Sequence, residues 1–412
     1  MTTHFSAYLD DQDLIRMEGG ESVTAFLPFT LTSGSKTIEL LPTEEEKTLR
    51  SPLPIDMSQS YTLSNAKGES CLLHYREIVR QPIFDQLYAY DGEDLGARYS
   101  KEKTTFAFWA PISQEVQLLI NQTAYPMERT EKGVWRLELE GDWEKASYYY
   151  QHQVNGVTHI VHDPYALSSE ANSGASYVID RHKIERPIQR AATQLEPTQA
   201  IIYELSVRDF SMQKEAGFQH PGTFPALLES PKHGDQTFGF NYLKSLGITH
   251  VQLMPLYDFG SVDETNPTAS YNWGYDPVQY NVPEGSFSSQ PNDPYQRILE
   301  LQQVIDAYHK ADLSLIMDVV YNHVYLSDEF AFERIVPGYF YRYDQDRQRT
   351  NGTFCGNDVA SERAMVRNYI KQSVKQWVQL YGFDGFRFDL MGILDRQTMM
   401  EIQEELAAIY PN

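Results

Sequence analysis

The sequence predicts a multidomain protein: an N-terminal β domain, then a β-sandwich, then the first half of an α/β barrel of the (β/α)₈ (TIM barrel) type. Three observations predict this fold class. The chain has 412 residues, whereas one domain needs roughly 100–200. Short extended runs separated by turns fill its first part, and strands alternate with helices from residue 200 onwards. We therefore expect domains at residues 1–88, 89–186 and 187–412.

The two β domains are predicted from short apolar runs between turn residues. In the first domain the runs are TAFLPFTL (24–31) and TIELLP (37–42), and SGS and SPLP are the turns. In the second domain such runs recur at short intervals, which is typical of a sandwich. They are TTFAFWAP (104–111), EVQLLI (115–120), GVWRLELEG (133–141) and SYYYQHQVNG (147–156).

The last domain is predicted to consist of parallel βαβ units. Its strands are IIYELSV (201–207), THVQLMP (249–255), LSLIMDVV (313–320) and FDGFRFDL (383–390). Its helices are 238–247, a helix capped by Asp293, 361–382 with Ser361 at its start, and 396–410. A doubly wound sheet and a barrel both fit this pattern. No glycine-rich nucleotide fingerprint follows the first strand, where VRDFSM stands, so the pattern favours the barrel.

The charge balance limits the partners. The formal net charge is −23 and the pI is near 4.8, so the chain repels nucleic acid and anionic membranes, and we expect neither as a partner. Cys71 and Cys355 are the only cysteines, which is typical of a reducing compartment. The N-terminus has no signal-peptide pattern and no run of 18 apolar residues occurs. We therefore expect a cytoplasmic location.

The candidate catalytic residues are Arg387 and Asp389 in the fourth strand. They are two positions apart, so they share a face, and in a barrel that face points inward. Active sites of such barrels lie at the carboxyl ends of the strands. A neighbouring guanidinium favours the ionised carboxylate, which is the form that can attack an anomeric carbon. A structural ion pair is the alternative that the spacing leaves open.

The third strand ends in DVVYNH (318–323), which supplies further candidates. Asp318 and Asn322 alternate onto one face. We expect Asn322 and His323 to donate hydrogen bonds to substrate hydroxyls, and a core or loop histidine is the alternative for His323. Asp318 is expected to have a structural role, paired with Arg387.

The loop after the second strand reads YNWGYDP (271–277) and contains Trp273, Tyr275 and Asp276. Two aromatic rings on either side of a glycine could form a stacking wall at the mouth of a barrel. A packed loop without such a role is the alternative.

Together, YNWGYDP, DVVYNH and GFRFDLMG resemble the α-amylase family, glycoside hydrolase family 13, and YNWGYDP is similar to the signature of its type I pullulanases. TTFAFWAP resembles the family 48 carbohydrate-binding module that precedes such barrels. The resemblance implies retaining hydrolysis of α-1,6-glucosidic links in pullulan, amylopectin or limit dextrins. It implies that Asp389 is the nucleophile and Arg387 its positioning partner. Tyr275 and His323 would line the sugar subsite, Trp273 and Asp276 belong to the same binding loop, and Asn322 and Asp318 would shape the site.

The chain also departs from the family pattern. The family's acid is a Glu at the end of a fifth strand, beyond the four strands predicted here. Glu204 and Asp276 have no motif argument for that role. We therefore expect the chain to be the N-terminal part of a longer enzyme, truncated after the fourth βα unit, and to be inactive alone.

The expected partner is an α-glucan, and the sequence does not predict the oligomeric state. No cofactor is required by the pattern, although some relatives bind calcium. Two other functions stay open. One is a non-catalytic glucan-binding protein, in which Trp109 and Trp273 would hold starch. The other is a related isoamylase or glycogen branching enzyme, against which YNWGYDP argues.

Overall fold

A computed structural model describes residues 5–19, 23–192 and 195–410. Its N-terminal part is a closed barrel with the strand order β1-β2-β5-β4-β3-β6-β7. The barrel closes through parallel pairing of β1 with β7. Its strands are β1 (Phe5–Leu9), β2 (Leu14–Gly19), β3 (Phe29–Ser33), β4 (Lys36–Pro42), β5 (Thr48–Arg50), β6 (Thr62–Ser64) and β7 (Ser70–Tyr75), and helix α1 (Pro82–Tyr88) follows.

One predicted strand of this domain begins later than the sequence indicated. Residues Val23–Phe26 form a 3₁₀ turn, and β3 starts only at Phe29. Pro28 has no backbone N–H to donate to a neighbouring strand, so the apolar run TAFLPFTL cannot pair along its whole length.

The second part is the predicted β-sandwich. One sheet has the order β11-β10-β14-β15, with β16 also paired to β14, and the other has the order β12-β13-β9-β8. Phe108 stacks on Tyr150 across the two sheets, with ring centroids 4.2 Å apart. The strands are β8 (Gly96–Tyr99), β9 (Lys103–Trp109), β10 (Glu115–Ile120), β11 (Thr123–Pro126), β12 (Glu128–Arg129), β13 (Val134–Glu140), β14 (Ser147–Val154), β15 (Val157–Val161) and β16 (Ser176–Tyr177).

Trp109 at the end of β9 does not present its ring to solvent. It is only 3% exposed, and its indole nitrogen donates to the carbonyl of Tyr88 at 2.9 Å. Its ring packs on Tyr339 from the third part of the chain. The expectation that Trp109 holds starch is therefore wrong, because the catalytic part covers this edge of the sandwich.

The third part is a four-stranded parallel sheet of order β17-β20-β21-β22 with helices between its strands. In chain order its elements are β17 (Ile202–Leu205), β18 (Lys232–His233), β19 (Gln236–Thr237), α2 (Gly239–Ser245), β20 (His250–Leu253), α3 (Gln296–Lys310), β21 (Ser314–Val319), α4 (Ala331–Ile335), α5 (Ala364–Gln376), β22 (Gly385–Phe388) and α6 (Arg396–Ile409). The small β18–β19 hairpin lies outside the parallel sheet. None of the helices in the described ranges is long and apolar enough to cross a membrane.

The helix ends differ in detail from the prediction. The carboxylate of Asp293 accepts the backbone N–H groups of Tyr295 and Gln296 in the turn that precedes α3. The helix itself begins at Gln296, and Tyr295 is its N-cap. The predicted helix 361–382 begins at Ala364 and ends in a π-helical turn, Trp377–Tyr381. Ser361 uses its hydroxyl to accept the N–H of Asp395 before α6 instead.

The two faces of the sheet are as the alternation predicts. On β21, Leu315, Met317 and Val319 are buried in the hydrophobic core with the helices. The side chain of Asp318 points to the opposite face of β21, and Asp318 lies directly beside Arg387 on the paired strand β22. The polar residues of both strand ends therefore share the inner face.

Candidate active site

Arg387 connects two carboxylates at the carboxyl ends of the third and fourth strands. Its Nη1 lies 3.0 Å from both oxygens of Asp318 and 2.8 Å from Oδ1 of Asp389. Asp318 is buried, whereas Arg387 is partly open to solvent. The predicted pairing of Asp318 with Arg387 is present, and the same guanidinium also holds Asp389.

Asn322 holds Asp389 from the other side. Its Nδ2 donates to the backbone carbonyl of Asp389 at 2.7 Å and to Oδ2 at 3.2 Å. The backbone N–H of Asp389 donates to Val319 at 2.9 Å, which extends the pairing of β21 with β22 by one residue. The carboxylate is therefore fixed through its backbone and through both of its oxygens.

His323 and Tyr275 complete the arrangement. The Nδ1 of His323 lies 2.6 Å from Oδ1 of Asn322, and its Nε2 lies 2.8 Å from the backbone carbonyl of Tyr275. The hydroxyl of Tyr275 donates to Oδ2 of Asp318 at 2.8 Å. Six predicted residues thus form one closed hydrogen-bonded ring, in the order Tyr275, Asp318, Arg387, Asp389, Asn322 and His323.

Burial shifts the pKa values within this ring. It raises the pKa of Asp318, although the hydrogen bonds from Tyr275 and Arg387 act in the opposite direction. Burial also lowers the pKa of His323, which favours the neutral ring. A neutral imidazole carries one N–H, yet both ring nitrogens of His323 face protein oxygens. In this arrangement the donors of His323 and Asn322 are used within the protein, and their predicted donation to substrate stays a prediction.

The conformation of the YNWGYDP loop is fixed by hydrogen bonds between its own residues. Asn272 donates to the carboxylate of Asp276 at 2.8 Å and accepts the N–H of Gly274 at 2.8 Å. Gly274 has φ +95°, and a Cβ there would lie 2.7 Å from the carbonyl of Pro255. The loop therefore needs glycine at this position.

Trp273 is the most exposed aromatic residue of this loop, with 60% of its surface open, and Tyr271 is exposed as well. Its indole N–H donates to the hydroxyl of Tyr271 at 2.5 Å, and that hydroxyl donates to Asp209. The ring is thus fixed by its edge while most of its surface stays exposed. This geometry leaves the ring face open for stacking, and the predicted stacking on a sugar stays a prediction. Sequence analysis missed Tyr271 and Asn272 as the supporting residues, although both lie within the quoted motif.

Neither carboxylate that was considered for the acid role is placed near Asp389 by a contact. Glu204 lies on β17, at the opposite edge of the four-stranded sheet from β22, and accepts a hydrogen bond from Gln252 at 2.6 Å. Asp276 is bound by Asn272. The structure therefore gives no support to either as a replacement acid.

A second group of carboxylates lies buried beneath this loop. Asp258, Glu264 and Glu284 each have a ligand-type oxygen within 4.8 Å of the others. The guanidinium of Arg297 lies 3.1 Å from Glu264. Burial, followed by the charge of Glu264, raises the pKa of Asp258 and raises that of Glu284 to about 8.

The ligands of this group differ from those that a calcium ion needs, although some family members bind calcium. Calcium takes six to eight oxygen ligands. Here backbone N–H groups of Phe259 and Ser286 donate to Glu284, Gln279 donates to Asp258, and Arg297 already supplies a positive charge. Oδ1 of Asp258 has no hydrogen-bond partner among the described residues. The other oxygens face hydrogen-bond donors, including the N–H of Gly285 and Arg297 at Glu264, so the group does not offer the six to eight free oxygens that calcium needs.

The comparisons with known proteins agree with this architecture. Residues 94–166 match Carbohydrate-binding module 48 (Isoamylase N-terminal domain), and residues 237–346 match the alpha amylase catalytic domain. The pullulanase of Bacillus subtilis (strain 168) is 35% identical over 427 residues, which covers 99% of this chain and 59% of that protein. The chloroplastic pullulanase 1 of Arabidopsis thaliana is 30% identical, over 79% of this chain and 39% of its own length.

The fold is shared with solved structures as well. The pullulanase from Anoxybacillus sp. LM18-11 complexed with maltotetraose superimposes with a TM-score of 0.92 at 40% identity, over 98% of this chain and 60% of that one. The chain spans about 60% of the length of the pullulanases from Bacillus subtilis and Anoxybacillus. It is a homologue of the type I pullulanases and carries a family 48 carbohydrate-binding module followed by part of an alpha-amylase catalytic domain.

Proposed function

We propose that the chain provides the glucan-binding modules and part of the active site of an enzyme that hydrolyses α-1,6-glucosidic links in pullulan, amylopectin and limit dextrins. One observation carries the proposal. The hydrogen-bonded ring holds the carboxylate of Asp389 at the carboxyl end of β22, where Arg387 contacts one oxygen and Asn322 the other. Trp273 supplies an exposed ring from the neighbouring loop.

In the proposed reaction, Asp389 attacks the anomeric carbon and forms a glycosyl-enzyme, which water then hydrolyses with net retention. Arg387 orients the carboxylate through the contact of its Nη1 with Oδ1. Tyr275 would contact the sugar at the point of attack. Because its hydroxyl is bound to Asp318, the ring orientation is set before substrate arrives.

A retaining enzyme also needs an acid about 5–5.5 Å from its nucleophile. The neighbouring carboxylates Asp318 and Asp276 are each bound by other residues. We therefore propose that the acid belongs to the part of the longer relatives that this chain does not span. The absence of a calcium requirement and a cytoplasmic location are proposed too, the latter supported by two unpaired thiols, Cys71 and Cys355.

Two measurements on the 412-residue chain test the proposal. Calorimetry with maltotetraose should show binding, and Trp273→Ala should weaken it. Release of reducing ends from pullulan should stay at background, because the acid is absent. A chain that binds no maltooligosaccharide would overturn the glucan-binding role, and hydrolysis by the chain alone would overturn the assignment of the acid.

A non-catalytic glucan-binding function is the second candidate. It is favoured for the chain by itself because Asp318 and Asp276, the carboxylates that neighbour Asp389, are each bound by other residues. An enzyme of the full length found in the relatives distinguishes the two. Release of maltotriose from pullulan, lost on Asp389→Asn, supports hydrolysis. Glycosyl transfer as the main reaction would instead favour a branching enzyme.

A further inference from the structure

Phe354 is an unusually exposed aromatic residue in the loop 350–358, which follows the third strand of the catalytic part. It is 91% exposed, the largest value among the large apolar side chains of the described residues. Single exposed apolar side chains are common on protein surfaces, so the exposure alone indicates nothing. Two further observations decide what it means.

The first observation is that Phe354 is displayed in a costly backbone conformation. Its φ is +61°, in the left-handed region. A bulky residue rarely adopts this conformation, and glycine or asparagine fits it better. A large ring that is both strained and unburied contributes nothing to folding, and such strain tends to occur at functional sites.

The second observation is that the loop is rigid. The carboxylate of Asp358 accepts hydrogen bonds from Thr350 Oγ1 at 2.6 Å, from the N–H of Gly352 at 2.8 Å and from the N–H of Thr353 at 2.9 Å. The N–H of Gly356 donates to Asn351 Oδ1 at 2.7 Å. Phe354 is therefore presented by a fixed support and not by a mobile turn.

The same loop is joined to the candidate active site. Asn357 exchanges two hydrogen bonds with the backbone of Val324, at 3.0 and 2.8 Å, directly after His323. The N–H of Val359 donates to the carbonyl of Asn322 at 2.9 Å. Burial, then the charges of Asp276 and Asp389, raise the pKa of the Cys355 thiol. The residue next to Phe354 thus lies within the electrostatic reach of the Asp389 carboxylate.

We propose that Phe354 is a further glucan-binding residue, which stacks its ring on a glucose unit outside the subsite beside Asp389. The inference rests on the proposed glucan-binding function. The open faces of glucose rings are arrays of C–H groups that pack on aromatic rings. The loop of Trp273 follows β20, and the loop of Phe354 is bonded to Asn322 and Val324 directly after β21. Both rings are thus carried by segments at the carboxyl ends of adjacent strands, and in the proposal they hold different units of one glucan chain.

The test is calorimetry of the 412-residue chain with maltotetraose and maltose. Phe354→Asn removes the ring but suits the left-handed backbone, so it should keep or raise the melting temperature. We expect it to weaken maltotetraose binding about tenfold, which is the loss that uncovering one ring face predicts. Maltose, which has two glucose units instead of four, should lose less.

Two controls make the result specific. Phe354→Trp should retain binding within about twofold, since it keeps an aromatic face. Leu53→Ala removes another exposed apolar side chain, on the N-terminal domain, and should change nothing. Equal maltotetraose affinity of Phe354→Asn and the unaltered chain, with weaker binding by Trp273→Ala, would overturn the inference and leave the proposed function intact. Failure of the unaltered chain to bind would refute both.

Discussion

The side-chain amide of Asn322 holds Asp389 at two atoms, the backbone carbonyl at 2.7 Å and the carboxylate Oδ2 at 3.2 Å. The ends of two adjacent parallel strands are thereby connected through a side chain, just beyond the last backbone pair. This contact leaves the second carboxylate oxygen to Arg387. The orientation of Asp389 therefore depends on Arg387 within β22 and on Asn322 in the segment that follows β21.

Asn322→Ala should destabilise the protein, because it leaves the buried carbonyl of Asp389 and the Nδ1 of His323 without partners. We expect a loss of about 1–3 kcal/mol in the free energy of unfolding, measured by urea denaturation. Asn241→Ala, on the exposed surface of α2, is the matched control and should change stability by less than about 0.5 kcal/mol. Equal stability of the two variants would show that the amide does not hold the strand ends.

Arg387→Met should have an effect that depends on pH. Removal of the guanidinium leaves Asp318 buried with only Tyr275 as a hydrogen-bond donor, so the pKa of Asp318, already raised by burial, should rise further. An acid whose pKa is raised by folding destabilises the protein as pH increases. The loss of unfolding free energy, about 1–3 kcal/mol after allowance for the partial exposure of Arg387, should therefore be larger at pH 7 than at pH 5.

Urea denaturation at the two pH values measures this difference. Arg50→Met removes an exposed pair with Asp13 and is the control, with a loss below about 1 kcal/mol at both pH values. A loss from Arg387→Met that is independent of pH would mean that Asp318 is not the group left uncompensated.

The site could be predicted to a large extent because strand geometry is simple. Period-two alternation on FDGFRFDL and DVVYNH was sufficient to place Arg387, Asp389, Asp318 and Asn322 on one face, and pairing of adjacent strands brought them together. The predicted sandwich is likewise present, since its alternating runs form two packed sheets.

What the sequence did not reveal depends on contacts between distant segments. Trp109 looked like any aromatic residue on a strand, and only its packing on Tyr339, 230 positions later, shows that it is buried. The buried group of Asp258, Glu264 and Glu284 combines residues from a long loop with no regular period. Phe354 was missed because its backbone conformation has no signature in a single sequence.

Glu284 should make stability fall as pH rises from mildly acidic to neutral values. Burial raises its pKa to about 8, above the roughly 4.3 of an unfolded chain. The stabilisation of the protonated form is therefore fully present below the unfolded pKa and is lost as pH rises through about 8. We expect the melting temperature to decline between about pH 5 and pH 8 and to level off above the folded pKa.

Glu284→Gln cannot ionise, so it should flatten that decline, although it should lower stability overall because it replaces an acceptor of the Phe259 or Ser286 N–H. Glu138→Gln alters an exposed carboxylate paired with Lys103 and should keep the slope of the unaltered protein. An unchanged slope in Glu284→Gln would place the titrating group elsewhere.

Trp109 and Trp273 should have opposite effects, because one is buried and the other is exposed. Trp109→Ala should cost about 3–5 kcal/mol of stability through a cavity between the sandwich and the catalytic part, with amylopectin affinity unchanged in the fraction that stays folded. Trp109→Phe should cost less, since it keeps an aromatic ring and loses chiefly the hydrogen bond to Tyr88.

Trp273→Ala should leave the melting temperature within a few degrees. In gels that contain amylopectin, this variant should be retarded less than the unaltered protein. If Trp109→Phe reduced retardation as strongly as Trp273→Ala at equal folding, the sandwich edge at Trp109 would have to bind sugar after all.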